Sequence, residues 1–175
     1  NAGVDWVILE TTSHALAQHR VWGVPYSVAV FTNLSHEHLD YHGTFENYRD
    51  AKVRLFELCN NNAKGLQVGI ANADDPSGQY FLRAIKNPVS YGIDAGDIRA
   101  KDVKTTTNGS TMTVKTRNGE FNLKVNLTGS FNVYNALAAA GVGQALGLDE
   151  KQIIDGIGSL SNVEGSCHIY GSWSS

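Results

Sequence analysis

Apolar residues fall into two rhythms along this chain. Short unbroken runs at 6–9, 28–31 and 66–71 predict strands covered on both faces. Between them the period lengthens. Phe45, Tyr48, Leu55, Phe56 and Cys59 recur at steps of about three and four residues, which predicts a helix over 45–60 with Thr44 as its N-cap. A short helix or turn is expected over 13–20. A helix over 77–86 follows, with Asp75 as N-cap and Pro76 as its first residue. Residues 89–91 read as a short fourth strand.

The rhythm changes after residue 97. Alternating segments at 98–104, 111–117 and 121–126 are separated by Asn108-Gly109 and Asn118-Gly119, and an Asn-Gly pair between alternating runs signals a hairpin. An alanine-rich helix is expected over 130–146, with Gly147 as its C-terminal cap. Asp149 and Gln152 form a capping box for a helix over 151–160. The fold class is therefore α/β: a mostly parallel sheet flanked by helices, with a small antiparallel meander. There is no internal repeat, and the residues from Gly165 onward follow neither period and read as a tail.

Composition narrows the options. The chain has 175 residues, 42% hydrophobic and 18% charged, enough to bury one core. A net charge of −3 gives no electrostatic reason to expect nucleic acid or an anionic membrane as partner. No apolar run reaches spanning length, and no signal peptide opens the chain. Cys59 and Cys167 are far apart and form no metal motif, which makes a reduced, cytoplasmic protein the expectation. The chain opens almost directly into an apolar run without a methionine, as expected of a piece of something longer.

The chemistry gathers in two places. Glu10 closes the first apolar run, where a carboxylate either holds a hard cation such as Mg2+ through oxygen or is simply a solvated strand end. Thr11, Thr12 and Ser13 either meet a ligand or cap the next helix, and the cap is the better reading. Arg20, two residues past Gln18, either takes a phosphate or carboxylate or is a surface residue. The second place is the loop after 28–31, which holds His36, Glu37, His38, Asp40 and His42. Zinc would want a third regularly spaced ligand; His38 as a ligand of Mg2+ or Mn2+ beside Glu10 is the sharper alternative. Asp40, Tyr41 and His42 read as residues that fix the loop. Lys52 lies on the inward stripe of the 45–60 helix, four residues from both Tyr48 and Phe56. It either snorkels to water, neutralises a carboxylate, or carries a carbamate from CO2 and so becomes an anionic metal ligand. Asn132 and Asn135 either read a base edge or cap the alanine-rich helix. Neither a G-x-x-x-x-G-K-[ST] run nor a G-x-S-x-G elbow occurs.

Four ordered stretches resemble a known family. They are ETTSHALAQHR from Glu10, FTNLSHEHLDYHG from Phe31, AKVRLF from Ala51 and GSFNVYNALA from Gly129. Together they resemble the motifs of the Mur ligases, and the S-H-A-L-x-Q-x-R and H-L-D-Y-H-G forms resemble the branch that adds the third amino acid of the peptidoglycan stem. The resemblance implies a P-loop-NTPase-like central domain over 1–163, N-terminally truncated and without its P-loop, and a tail over 164–175. It implies ATP-dependent amide formation through an acyl phosphate, with Mg2+ as cofactor and ATP as co-substrate. UDP-N-acetylmuramoyl-dipeptide and an amino acid would be the partners of a monomeric cytoplasmic enzyme. By motif match Glu10, His38 and a carbamylated Lys52 would be metal ligands, with Lys52 and His38 catalytic. Thr12, Gln18 and Arg20 would bind the muramoyl substrate, and Asn132 and Asn135 would lie by the adenine. His36 and Glu37 stand where that branch commonly has Arg and Asp, and Ser166-Cys167-His168 replaces an expected arginine motif. The chain alone is expected to be inactive. The rival readings are another Mur or folylpolyglutamate synthetase-type ligase, and a non-catalytic α/β module that binds a nucleotide sugar.

Overall fold

The computed structural model describes residues 6–35 and 39–160. They fall into two compact units, divided in sequence between Val89 and Ser90.

The first unit contains α1 (Ser13–Ala17), β1 (Val28–Phe31), α2 (Leu39–His42), α3 (Phe45–Asn61), β2 (Val68–Asn72) and α4 (Gly78–Arg83). β1 and β2 pair in parallel, from Val28 opposite Val68 to Phe31 opposite Ala71, and α3 lies in the crossover between them. Thr44 caps α3 as expected, its hydroxyl accepting from the Asn47 amide at 3.2 Å. The predicted stripe faces inward: Tyr48, Phe56 and Cys59 are buried, while Phe45 and Leu55 are half-buried. Ala29, Phe31, Phe56, Cys59, Ala71, Phe81 and Ile85 make the core. Phe31 stacks on Phe81 with centroids 3.8 Å apart, and Phe56 meets Phe81 edge-on at 5.2 Å.

Two expectations fail in this unit. The apolar run at 6–9 is not a strand; it is irregular and exposed, Ile8 almost completely so at 99%. A run of this kind becomes a strand only when a neighbour takes its backbone hydrogen bonds, and no described strand pairs with it. Asp75 does not cap α4 either. Its Oδ1 accepts from the Ser77 amide, two residues on, at 2.7 Å. Its Oδ2 accepts from the Leu34 amide at 3.2 Å. The carboxylate thus closes an Asx turn and ties two loops, and α4 starts later and ends earlier than its period suggests. A Cβ on Gly78 would stand 2.0 Å from the Asn72 carbonyl oxygen, so this close approach of backbone requires glycine.

β3 (Asn87–Gly92) runs across the division, and within the second unit its Tyr91 pairs in parallel with Ile98 of β4 (Ile98–Thr106). β5 (Gly109–Thr116) and β6 (Gly119–Val125) complete an antiparallel meander with β4. α5 (Phe131–Ala145) and α6 (Glu150–Gly158) pack on it and on each other. The capping box forms as expected: Asp149 accepts from the Gln152 amide at 2.8 Å, and Gln152 accepts from the Asp149 amide at 2.9 Å. Both hairpins exist, but their registers differ from the expected Asn-Gly turns. Thr106 pairs with Gly109 and Thr116 with Gly119, so the turning residues are Thr107-Asn108 and Arg117-Asn118. In each turn the threonine hydroxyl donates to the glycine carbonyl and accepts from the asparagine amide, at 3.1–3.2 Å. The positive φ falls on the glycines, +135° and +145°, and the asparagines stay out of the left-handed region that a type I′ turn needs. The threonine-to-asparagine bond holds the chain in this alternative. The α/β part and the small meander match the expected fold class.

Candidate active site at the tip of the first strand

The carboxyl end of β1 opens into a cleft in the first unit. Its apolar lining comes from Leu16, Phe31, Phe56 and neighbours, and its polar lining from Thr11, Thr32, Asn33 and Lys52, around about 340 Å³ of unfilled space that includes the open mouth. The strand-tip loop is held by the end of β2: Asn72 Nδ2 donates to the Thr32 carbonyl at 3.0 Å, and Asp75 Oδ2 accepts from the Leu34 backbone amide. Thr11 adds a hydroxyl contact to Tyr26 at 3.3 Å. The cleft therefore sits where a parallel sheet gathers ligands, and its walls are pinned by side-chain bonds.

Lys52 is the predicted residue that the structure brings to this place. It is half-buried, lines the cleft with Thr11, Thr32 and Asn33, and has its Nζ 5.5 Å from the Tyr48 ring centroid. Its inward position follows from the α3 stripe. Glu10 belongs to the irregular exposed stretch and is not among the residues lining the cleft. His38, with His36 and Glu37, lies outside the described residues. Among those that are described, no group of three histidine, cysteine, aspartate or glutamate side chains is placed to hold a metal ion.

α1 positions the remaining candidates of this unit. Thr12 is its N-cap, its hydroxyl accepting from the Ala15 amide at 3.2 Å, so the capping alternative holds for that side chain. Gln18 and Arg20 are exposed at the other end of α1. The Gln18 amide donates to the Tyr41 hydroxyl at 3.2 Å. Arg20 follows His19, whose φ is +55°.

Tyr41 and His42 fix the loop as expected, and what they grip lies far off in sequence. His42 Nε2 lies 3.0 Å from the Ser13 hydroxyl. Tyr41 packs between His14, at 4.3 Å, and His42, at 4.8 Å, and His42 reaches Tyr48 at 5.4 Å. This cluster joins α1, α2 and α3. A serine beside a histidine invites a nucleophile–base reading, but Ser13 is only 2% exposed, so the pair is an internal tie. Thr32 and Asn33 were missed. Their signal was their place directly after an apolar strand.

Asn132 and Asn135 belong to the second unit. Asn132 is buried; its amide donates to the Thr128 carbonyl at 2.6 Å, and its oxygen accepts from Asn135 Nδ2 at 3.1 Å. Asn132 thus closes the loop ahead of α5, while Asn135 is exposed.

The first unit is thus an α/β arrangement with a cleft at a strand tip and an inward lysine. Residues 1–143 match the Mur ligase middle domain, and the chain belongs to the Mur ligase family. It is 41% identical over 167 residues to UDP-N-acetylmuramoyl-L-alanyl-D-glutamate--2,6-diaminopimelate ligase of Geobacillus kaustophilus (strain HTA426), covering 93% of this chain and 34% of that protein. It is 42% identical over 171 residues to the protein of the same name from Bacillus cereus (strain ATCC 14579), covering 95% and 35%. A solved structure of a ligase of that name superposes with a TM-score of 0.78 at 31% identity, covering 89% of this chain and 32% of that one. The chain spans about a third of the length of the curated relatives it matches.

Proposed function

We propose that this chain is the central domain of an ATP-dependent amide-bond ligase of the MurE type. Such an enzyme adds the third amino acid to UDP-N-acetylmuramoyl-L-alanyl-D-glutamate in peptidoglycan synthesis. The observation that carries the reading is Lys52, held on the inward face of α3 in the cleft at the β1 tip, within a chain about 40% identical to ligases so named. 2,6-Diaminopimelate, the amino acid in the relatives' names, is the first to test.

The polar residues that line the cleft beside Lys52 are Thr11, Thr32 and Asn33, whose side chains carry oxygen donors. That chemistry suits a hard cation, and it gains a negative ligand if Lys52 carries a carbamate. In that reaction the neutral amine bonds to the carbon of CO2 and releases one proton, leaving an anionic carbamate. We assign Glu10, His38 and carbamylated Lys52 to Mg2+, which when bound would neutralise crowded phosphate charge. The protein's own part is orientation: the Asn72 and Asp75 ties hold the strand-tip loop, and Gln18 and Arg20, exposed at the end of α1, are assigned to the muramoyl substrate; Thr12, assigned to it by motif, also caps the start of that helix. Asn135, with Asn132 behind it, is assigned to the adenine.

In the complete ligase that contains this chain, Lys52→Ala should remove most of the amide-forming activity, and an added short carboxylic acid should restore part of it. Near-full activity of Lys52→Ala at limiting Mg2+ would overturn the carbamate assignment. A complete wild-type enzyme that formed no amide from the muramoyl dipeptide would overturn the function.

A further inference from the structure

Resting on that ligase reading, we propose that Tyr41 is a positioning residue whose hydroxyl holds the Gln18 side chain in the orientation that meets the muramoyl-peptide substrate. Gln18 ends α1 and is exposed. A glutamine there, with its rotatable stem in water, loses rotamer freedom whenever a ligand fixes it. In this structure its amide already has a fixed partner, the Tyr41 hydroxyl at 3.2 Å.

That hydroxyl is aimed from below. The Tyr41 ring lies 4.3 Å from His14 at a 45° tilt and 4.8 Å from His42 edge-on, at 81°. His42 is itself tied to the Ser13 hydroxyl at 3.0 Å, and Ser13 is buried. A chain of contacts thus runs from the interior of α1 through His42 and Tyr41 back to the exposed end of the same helix. The bond uses one hydrogen of the Gln18 amide and leaves its carbonyl oxygen and second N–H, the two groups that recognise a peptide's N–H and C=O. Holding them beforehand lowers the ordering cost of binding.

Tyr41 is 46% exposed, so a direct contact with substrate is the competing explanation. The two are separated by a double-mutant cycle in the complete ligase, using equilibrium binding of UDP-N-acetylmuramoyl-L-alanyl-D-glutamate and KM for each substrate. Tyr41→Phe keeps the ring packing and removes only the hydroxyl. It should weaken the muramoyl substrate by about three- to tenfold, the range of one hydrogen bond, without moving KM for ATP. In a Gln18→Ala background the same change should cost nothing further. Tyr41→Phe without effect overturns the proposal. So does a loss that persists in full beside Gln18→Ala, because Tyr41 would then touch the substrate itself, and so does a loss shared equally by ATP. A wild-type enzyme that does not bind the muramoyl dipeptide would instead remove the ligase reading, and this inference with it. A wild type that binds while Tyr41→Phe is unaltered removes this inference alone.

Discussion

His19 holds at the end of α1 the same left-handed backbone position that Gly147 holds at the end of α5, with φ of +55° and +77°. The hydrogen bonds match. Arg20 N donates to the Ala15 carbonyl and His19 N to that of Leu16; Leu148 N donates to the Gly143 carbonyl and Gly147 N to that of Gln144. Both are the paired bonds of a Schellman cap. Histidine pays a steric cost there that glycine avoids, and it stands between Gln18 and Arg20, the residues assigned to the substrate.

The caps therefore respond oppositely to substitution. A Cβ on Gly147 meets nothing within 4 Å, so Gly147→Ala should lose about 1 kcal/mol through backbone strain alone. His19→Gly should gain about 0.5 kcal/mol, strain relief being partly offset by the freer unfolded chain. Urea denaturation of the variants reads both. A destabilised His19→Gly would mean that the imidazole makes a contact worth more than the strain.

Asp97 should make the second unit sensitive to acid. Burial alone would raise its pKa, but the Ser90 amide and hydroxyl and the Arg117 guanidinium outweigh that and hold the carboxyl below its usual range. The bonds are 3.0 Å and 2.8 Å to Ser90 and 2.7 Å to Arg117. The folded pKa is thus below the unfolded value of about 3.9. The stabilisation is present above that value and is lost as pH falls through the lower folded one. Asp97→Asn should cost about 1–2 kcal/mol at pH 7, mostly through Ser90, because Arg117 is largely exposed. Denaturation curves at pH 7 and pH 3 should show the gap between variant and wild type narrowing in acid.

Cys59 should be chemically silent in the folded chain. It is fully buried, and burial pushes its thiol pKa up despite hydrogen bonds with the Ala29 and Val68 backbone. Alkylation requires both the thiolate and access. In a Cys167→Ser background, iodoacetamide labelling of Cys59 should be at least about a hundredfold slower in buffer than in denaturant. Comparable rates would mean that α3 opens readily.

Arg20→Ala in the complete ligase should weaken the muramoyl substrate roughly ten- to a hundredfold. A charge-assisted bond is worth about 1.5–3 kcal/mol and each decade about 1.4. KM for ATP should hardly move. Initial rates with each substrate varied in turn decide it, and a defect confined to ATP would refute the assignment.

What the sequence determined by itself is local. Thr44 capping α3, the Asp149–Gln152 box and Gly147 ending α5 each involve residues within about one turn of one another, so their physics is complete in a few letters. The inward stripe of α3 was legible for the same reason, and it carried Lys52 to the face that lines the cleft. The family resemblance was legible because its four stretches stand in order along the chain.

Other features were decided only by distant neighbours. Ser13 and His42 are 29 residues apart, and Gln18 and Tyr41 are 23 apart; no periodicity pairs them. Asp75 carries the letters of a helix cap, yet Leu34, from 41 residues upstream, takes one of its oxygens. The apolar run at 6–9 has strand composition, but a strand is a relation between two segments. Among the described residues the second segment is not there. The hairpins turned one residue early because the Thr106 and Thr116 hydroxyls offered the asparagine amides a bond that suits these negative-φ turns. Local propensity names what a segment favours; which hydrogen bonds it finally makes depends on what the rest of the chain brings within about 3 Å.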